Sequence, residues 1–266
     1  MPDNETILQA ARSLFAQYQA NETFTALPGP WSIETIPEAY AVQREYLRFL
    51  AEDQGKLAGY KLAYTTATMQ QRAGWHEPCA GALMATTIYQ SPTTLKGASY
   101  RRLGMECEVA VELADDLPAS GAPYTRDSVA EVVGAVMAAF EVIDMRLPEG
   151  MDGLERTLTS VATNISNAGA VLGPRVTDWR NLDLPSAKGS ATINGLEVGA
   201  GYGSDVMGHP FEPLAWLANK LAAEGESLPK GTIVITGSIV PPKFLEPGDN
   251  AVVEVEGLGE ATLRVE

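Results

Sequence analysis

Histidine and cysteine are almost missing from this chain. Only His76, His209, Cys79 and Cys107 occur among 266 residues. Two histidines exclude a histidine-rich zinc site, so a metal would have to be held mainly by oxygen. Two cysteines make no disulfide framework and lack metal-type spacing, which points to a reducing, cytoplasmic setting. Positive charge is scarce as well. Lys and Arg total 19 against 34 Asp and Glu, giving a formal net charge of −15. Such a surface repels phosphate backbones and anionic membranes, so neither nucleic acid nor membrane is expected as a partner. A small anionic substrate stays admissible, because a local cation can reverse the field inside one pocket. Long apolar runs are missing too. The longest, Val132 to Phe140, falls far short of the roughly 20 residues that span a bilayer. The opening stretch MPDNETILQAARSLFAQ is amphipathic and starts acidic, unlike a secretory leader. No glycine-rich loop opens a helix to cradle phosphate; GLGE near the C-terminal end runs into a strand.

What remains is an ordinary globular balance, with 45% hydrophobic and 20% charged residues, enough for a sizeable core. Residues 4–20 and 34–53 read as helices; in the second, Ile36, Ala39, Tyr40, Val42, Tyr46, Leu47 and Leu50 recur near helical spacing. From Gly59 onward the texture changes to short strands and turns. Residues 126–140 read as a helix with Asp127 as N-cap, followed by FEVIDMRL as a strand. Asn194-Gly195 marks a hairpin, and residues 210–226 carry a last amphipathic helix. The expected fold is α+β: a β-rich rolled sheet or barrel core behind an N-terminal helical segment. Residues 1–58 form that segment, packed on the core, and residues 59–266 the β-rich part, the two working as a single domain.

Within MECEVAVEL, side chains alternate, so Glu106 and Glu108 share one face of a strand. Alone, Glu-x-Glu reads more readily as a solvent-facing strand. Glu141 changes the balance, because it lies inside the apolar run AAFEVIDMRL, where a lone carboxylate is costly unless paired or metal-bound. Glu106, Glu108 and Glu141 together would make an all-oxygen site suited to Mg²⁺ or Mn²⁺. Lys61, in the apolar strand GYKLAYTT, either snorkels or binds a substrate carboxylate or enolate beside the metal; Thr65 and Thr66 follow it. TNISNAG at 163–169 offers a second cluster of small polar groups.

These stretches resemble a known family. GYKLAYTT, HEPCAGAL, MECEVAVEL with FEVIDMRL, NISNAGAVLG, and the segment from INGLEVGAG through GTIVITGS to LEPGD are similar to the 2-keto-4-pentenoate hydratase and 4-oxalocrotonate decarboxylase branch of the fumarylacetoacetate hydrolase superfamily. The resemblance spans nearly the whole chain. It implies metal ligation by Glu106, Glu108 and Glu141, and catalytic roles for Lys61, Cys79, Glu77 and Ser166. Substrate contacts are implied for Thr65, Thr66, Asn164, Gly237 and Ser238. The implied substrate is a small 2-oxo or 2-hydroxydienoic acid, the implied reaction a metal-dependent hydration through an enolate. Decarboxylation, C–C hydrolysis or tautomerisation at the same site are the alternatives. Homo-oligomers, or a complex with a related decarboxylase or hydratase, are implied as well. The chain departs from the family pattern at two positions. Cys79 stands in Glu77-Pro78-Cys79 where an aspartate is usual, and Thr163 stands where an aspartate usually precedes the Asn-x-Ser segment. An altered homologue that serves as a partner subunit is the reading these two changes motivate.

Overall fold

The computed structural model describes residues 2–27, 29–151 and 153–266. Two helices open the chain, α1 (Asn4–Gln19) and α2 (Ile36–Gln54), each with a side-chain cap. Asp3 accepts from the Thr6 amide, and Thr35 with Glu38 forms a reciprocal capping box at α2. There follow β1 (Leu57–Ala63), α3 (Ala67–Ala73), β2 (Cys79–Met84), β3 (Ile88–Gln90), β4 (Thr93–Leu95) and β5 (Leu103–Leu113). Next come α4 (Arg126–Ala130), β6 (Val133–Asp144), α5 (Gly153–Ala162) and β7 (Asn167–Leu172). The chain ends with β8 (Lys188–Ile193), β9 (Leu196–Tyr202), α6 (Phe211–Ala223), β10 (Ile233–Phe244), β11 (Asn250–Val255) and β12 (Gly259–Val265).

The strands form two sheets, one of seven in the order β2-β1-β10-β5-β6-β7-β3 and one of five in the order β4-β12-β11-β8-β9. The result is a mixed α+β fold, a curled half-barrel of sheet with helices at its N-terminal side. One large apolar cluster joins residues of β5 and β6 to residues of β8, β11, β12 and α6. A second joins α1 and α2 to Cys79, Leu158, Val161, Ala162 and Ile165, so the N-terminal helices share a core with α5 and the start of β2. Among the described residues no helix is long and apolar enough to cross a membrane.

The expected helix over 126–140 is a correction. Only Arg126–Ala130 is helical, capped by Thr125 with Ser128 rather than by Asp127. The apolar run then enters β6, which pairs with β5 on one side and β7 on the other. A strand covered on both faces reads as continuous apolar sequence, and periodicity cannot separate it from a buried helix. The Asn194-Gly195 hairpin is present between β8 and β9, with φ of 51° and 79°, as a two-residue turn requires. Helices α3 and α5 were not anticipated. Thr157, Thr159 and Ser160 give α5 a weak helical propensity. Tertiary bonds compensate: Thr157 donates to the Ala73 carbonyl at 2.9 Å and Thr159 accepts from the Leu27 amide at 2.8 Å.

Candidate active site and metal centre

Strand β5 lies between β10 and β6 in the middle of the large sheet, and residues on both its faces are buried. That placement overturns the reading of Glu-x-Glu as a wet surface. Glu106 is 8% exposed, and Glu108 and Glu141 are fully buried. Register explains their convergence: Glu106 pairs directly with Glu141 across β5–β6, while Ser238 on β10 pairs with Glu108. One oxygen from each of the three carboxylates lies within 4.8 Å of the others. Glu112, two turns of the pleat further on, reaches the sheet margin and forms a bidentate pair with Arg175 at 2.7 and 2.9 Å.

Two of the carboxylates are oriented by different neighbours. The Gly237 amide donates to Glu108 Oε2 at 2.7 Å. This geometry needs glycine: φ is +123°, and a Cβ there would stand 2.5 Å from Thr65 Oγ1. Asn167 Nδ2 donates to Glu141 Oε1 at 3.0 Å, and Lys61 Nζ lies 2.9 Å from Glu141 Oε2. Glu108 Oε1 has no hydrogen-bond partner among the described residues. One ammonium therefore faces three buried carboxylates, and Glu108 Oε1 is left with neither a donor nor a cation. Burial, and then the Glu141 charge, pushes Glu106 up to about 8, with Lys61 opposing. Burial followed by Glu141 and Glu106 raises Glu108 well above the usual carboxylate range. For Lys61 burial works against the charge, but Glu141, Glu106 and Glu108 outweigh it and hold the pKa above that of an ordinary lysine. An orphaned oxygen, excess negative charge and an all-carboxylate donor set fit a hard divalent cation.

A cavity of about 170 Å³ reaches this cluster at Glu106. It is lined by Lys61 and Glu106 from the sheet, by Tyr64 and Thr65 after β1, by Ser238 of β10, and by Arg156 and Ser160 of α5. Met69, Ile143, Met145, Leu147 and Ile165 supply apolar walls, and Ser166 a hydroxyl. The volume lies below the roughly 300–1,000 Å³ of drug-sized pockets and suits a small acid. A larger groove, about 870 Å³, runs over Tyr40, Trp75, Trp216 and Lys220. It contains none of the three carboxylates, and its size alone does not make it the reaction site.

Of the residues expected here, Lys61, Thr65, Glu106, Ser166 and Ser238 line the cavity. Others sit elsewhere. Thr66 accepts from the Met69 amide at 3.2 Å as the N-cap of α3. Glu77 is exposed on the outer groove. Cys79 is fully buried in the apolar cluster shared with the N-terminal helices, and burial pushes its thiol up to about 12. Thr163 donates back to the Thr159 carbonyl at 2.8 Å. Asn164 spends its amide on the backbone of Ala82, accepting at 2.6 Å and donating at 2.9 Å. That anchor holds a strained turn: Asn164, Ile165 and Ser166 have φ of 60°, 54° and 57°, three left-handed residues in a row with a β-branched one in the middle. The strain brings Ser166 to the cavity, where its hydroxyl reaches the Met145 sulfur at 4.0 Å. Asn167, Arg156 and Ser160 escaped the sequence reading. For Asn167 the signal lay in TNISNAG, three residues beyond the asparagine singled out.

Known proteins are similar to this chain over most of its length. Residues 59–266 match the family described as fumarylacetoacetate (FAA) hydrolase C-terminal. The chain is 30% identical over 266 residues to 2-hydroxyhexa-2,4-dienoate hydratase of Comamonas testosteroni, covering 99% of both chains. It is 31% identical over 230 residues to 4-oxalocrotonate decarboxylase of Pseudomonas putida, covering 86% of this chain and 85% of that one. A solved 4-oxalocrotonate decarboxylase from Pseudomonas putida G7, complexed with magnesium and adipate, superposes with a TM-score of 0.91 at 27% identity, over 100% of this chain and 99% of that one. The chain belongs to the fumarylacetoacetate hydrolase C-terminal family.

Proposed function

We propose that this protein is a divalent-metal-dependent lyase acting on a small 2-oxo or 2-hydroxydienoic acid, most like a 2-keto-4-pentenoate hydratase. The observation that carries the reading is the buried cluster of Glu106, Glu108 and Glu141, with Lys61 beside it at the floor of a small cavity. Relatives named as hydratases of 2-hydroxyhexa-2,4-dienoate and 2-keto-4-pentenoate, similar over almost the whole chain, support the substrate class. Mg²⁺ or Mn²⁺ would be held by the three glutamates. Such an ion supplies Lewis acidity toward the oxygens of a 2-oxo acid.

The chain's own residues do the rest. Glu141 keeps Lys61 cationic and fixes its ammonium at 2.9 Å, so the lysine can donate to a substrate oxygen that gains negative charge. The Gly237 amide and Asn167 hold two carboxylates in place, which spares reorganisation during the reaction. Met69, Met145, Leu147 and Ile165 exclude bulk water and strengthen each charge interaction inside. Ser166 and Ser160 present hydroxyls to the ligand space.

Turnover of 2-hydroxypenta-2,4-dienoate with and without Mg²⁺ tests the reading. The double variant Glu106→Gln, Glu108→Gln should lose metal-dependent turnover, and full activity in that variant would sink the proposal. The similarity to 4-oxalocrotonate decarboxylases favours decarboxylation as the second reading. Release of CO₂, against formation of a 4-hydroxy-2-oxo acid, separates the two.

A further inference from the structure

The cavity holds a second cation that the carboxylate cluster does not use. Arg156 lines it from α5, across from the strands that carry Lys61 and Glu106. No carboxylate among the described residues pairs with this guanidinium. Its one described contact is Nη2 donating to the Met145 sulfur at 3.7 Å, a weak acceptor for a charged donor. Ser160, one helical turn further along α5, is buried and lines the same cavity, whereas Arg156 is half-buried. The guanidinium therefore stands nearer the mouth.

Helix stability does not account for an arginine here. Arg156 falls in the first turn of α5, where the helix dipole disfavours a cation. Packing does not require the charge either, since Met145 would be covered equally well by an apolar side chain. On a chain with a net charge of −15, an unneutralised guanidinium at a cavity mouth is the local field that admits and orients an anion. Lys61 is engaged by Glu141 on the sheet wall, so the two cations are not redundant. A ligand whose 2-oxo acid end sits at the glutamates shares its cavity with Arg156, which is free to take the other end.

We infer that Arg156 is a specificity-determining residue that pairs with a second carboxylate, at the far end of the substrate, so that the preferred substrates are 2-oxo or 2-hydroxydienoic diacids rather than monoacids. This rests on the function proposed above. A planar guanidinium fork matches a carboxylate in a bidentate way that lysine does not. The discrimination falls on binding of the non-reacting end of the substrate.

Calorimetry on the Mg²⁺-loaded protein with three unreactive probes tests it: 2-oxoadipate, 2-oxohexanoate and pyruvate. The first two differ in whether the distal end is a carboxylate, and pyruvate is too short to have a distal end. Wild-type protein should bind 2-oxoadipate roughly 10- to 100-fold more tightly than 2-oxohexanoate, the scale of one charge-assisted pair. Arg156→Gln should bind the two equally and bind pyruvate as the wild type does, and Arg156→Lys should recover part of the preference. In turnover assays Arg156→Gln should raise KM for a 2-hydroxydienoic diacid while leaving kcat. Equal binding of 2-oxoadipate and 2-oxohexanoate by the wild type overturns the inference without any variant. A preference that survives Arg156→Gln overturns it too. Failure of pyruvate to bind the Mg²⁺-loaded wild type overturns the proposed function and this inference with it, and is told apart by that probe alone.

Discussion

Lys61 and Glu141 form an ion pair at 2.9 Å whose side chains are 4% and 0% exposed. They come from strands that are not neighbours: β1 and β6 are separated in the sheet by β10 and β5. The pair therefore spans β10 and β5, and β5 carries the other two glutamates. Removing one partner of a buried pair strands the other charge, at a cost of about 3–5 kcal/mol. Lys61→Met should accordingly lower the unfolding temperature of the metal-free protein, on the order of 10 °C for a chain of this size. Mg²⁺ should restore more stability to the variant than it adds to the wild type, because the ion supplies the charge that the ammonium no longer does. Thermal unfolding in EDTA and in Mg²⁺ measures both. An unchanged unfolding temperature in EDTA would refute the bridging role.

The raised carboxylates fix the sign of a pH effect in the metal-free protein. Glu106 ordinarily titrates near 4.5 and is pushed up to about 8 in the fold, first by burial and then by Glu141. Between those values the native state holds a proton that the unfolded chain has released. Stability then falls as pH rises from about 4.5 to about 8, and levels off above that. The loss should amount to a few kcal/mol on an order-of-magnitude basis. Urea unfolding in EDTA at pH 6 and pH 8 should show the protein weaker at pH 8, and Glu106→Gln should flatten the difference. With Mg²⁺ present the slope should shrink or reverse, because the ion displaces the proton. Stability that is flat or rises over this range in EDTA would contradict the assignment.

Much of the fold and the three carboxylates were legible because their signals are local. Helices α1 and α2 carry clear apolar periodicity and caps, and Glu141 betrayed itself as a charge inside an apolar run. The misses share another physical cause. β6 is buried on both faces, so its strand period is erased. α5 is held by tertiary bonds to Ala73 and Leu27 rather than by its own propensity. Asn164 and Asn167 look equivalent in TNISNAG. Only the left-handed turn at 164–166 decides that the first braces Ala82 and the second reaches Glu141. Arg156 carries no motif at all; its meaning comes from which cavity it lines.

Cys79 invites a chemical role from its position in Glu77-Pro78-Cys79, and its surroundings argue against one. It is fully buried, it does not line the cavity, and burial holds its thiol near 12 against the opposing influence of the Tyr40 hydroxyl and Lys220. At neutral pH it is a neutral thiol, neither a thiolate nucleophile nor a useful base. Cys107 is also buried and raised to about 12. Ellman's reagent at pH 8 should therefore modify neither thiol in the native protein and both in guanidinium chloride. Cys79→Ala should keep turnover, losing roughly 1–2 kcal/mol of stability as a small apolar side chain is trimmed. Cys79→Asp should do worse than Cys79→Ala, because it sets a carboxylate in the cluster that holds Leu158, Val161 and Ala162, at a cost of several kcal/mol unless it takes up a proton. Loss of turnover in a fully folded Cys79→Ala variant, or rapid thiol modification that a bound 2-oxo acid blocks, would return this residue to the catalytic machinery.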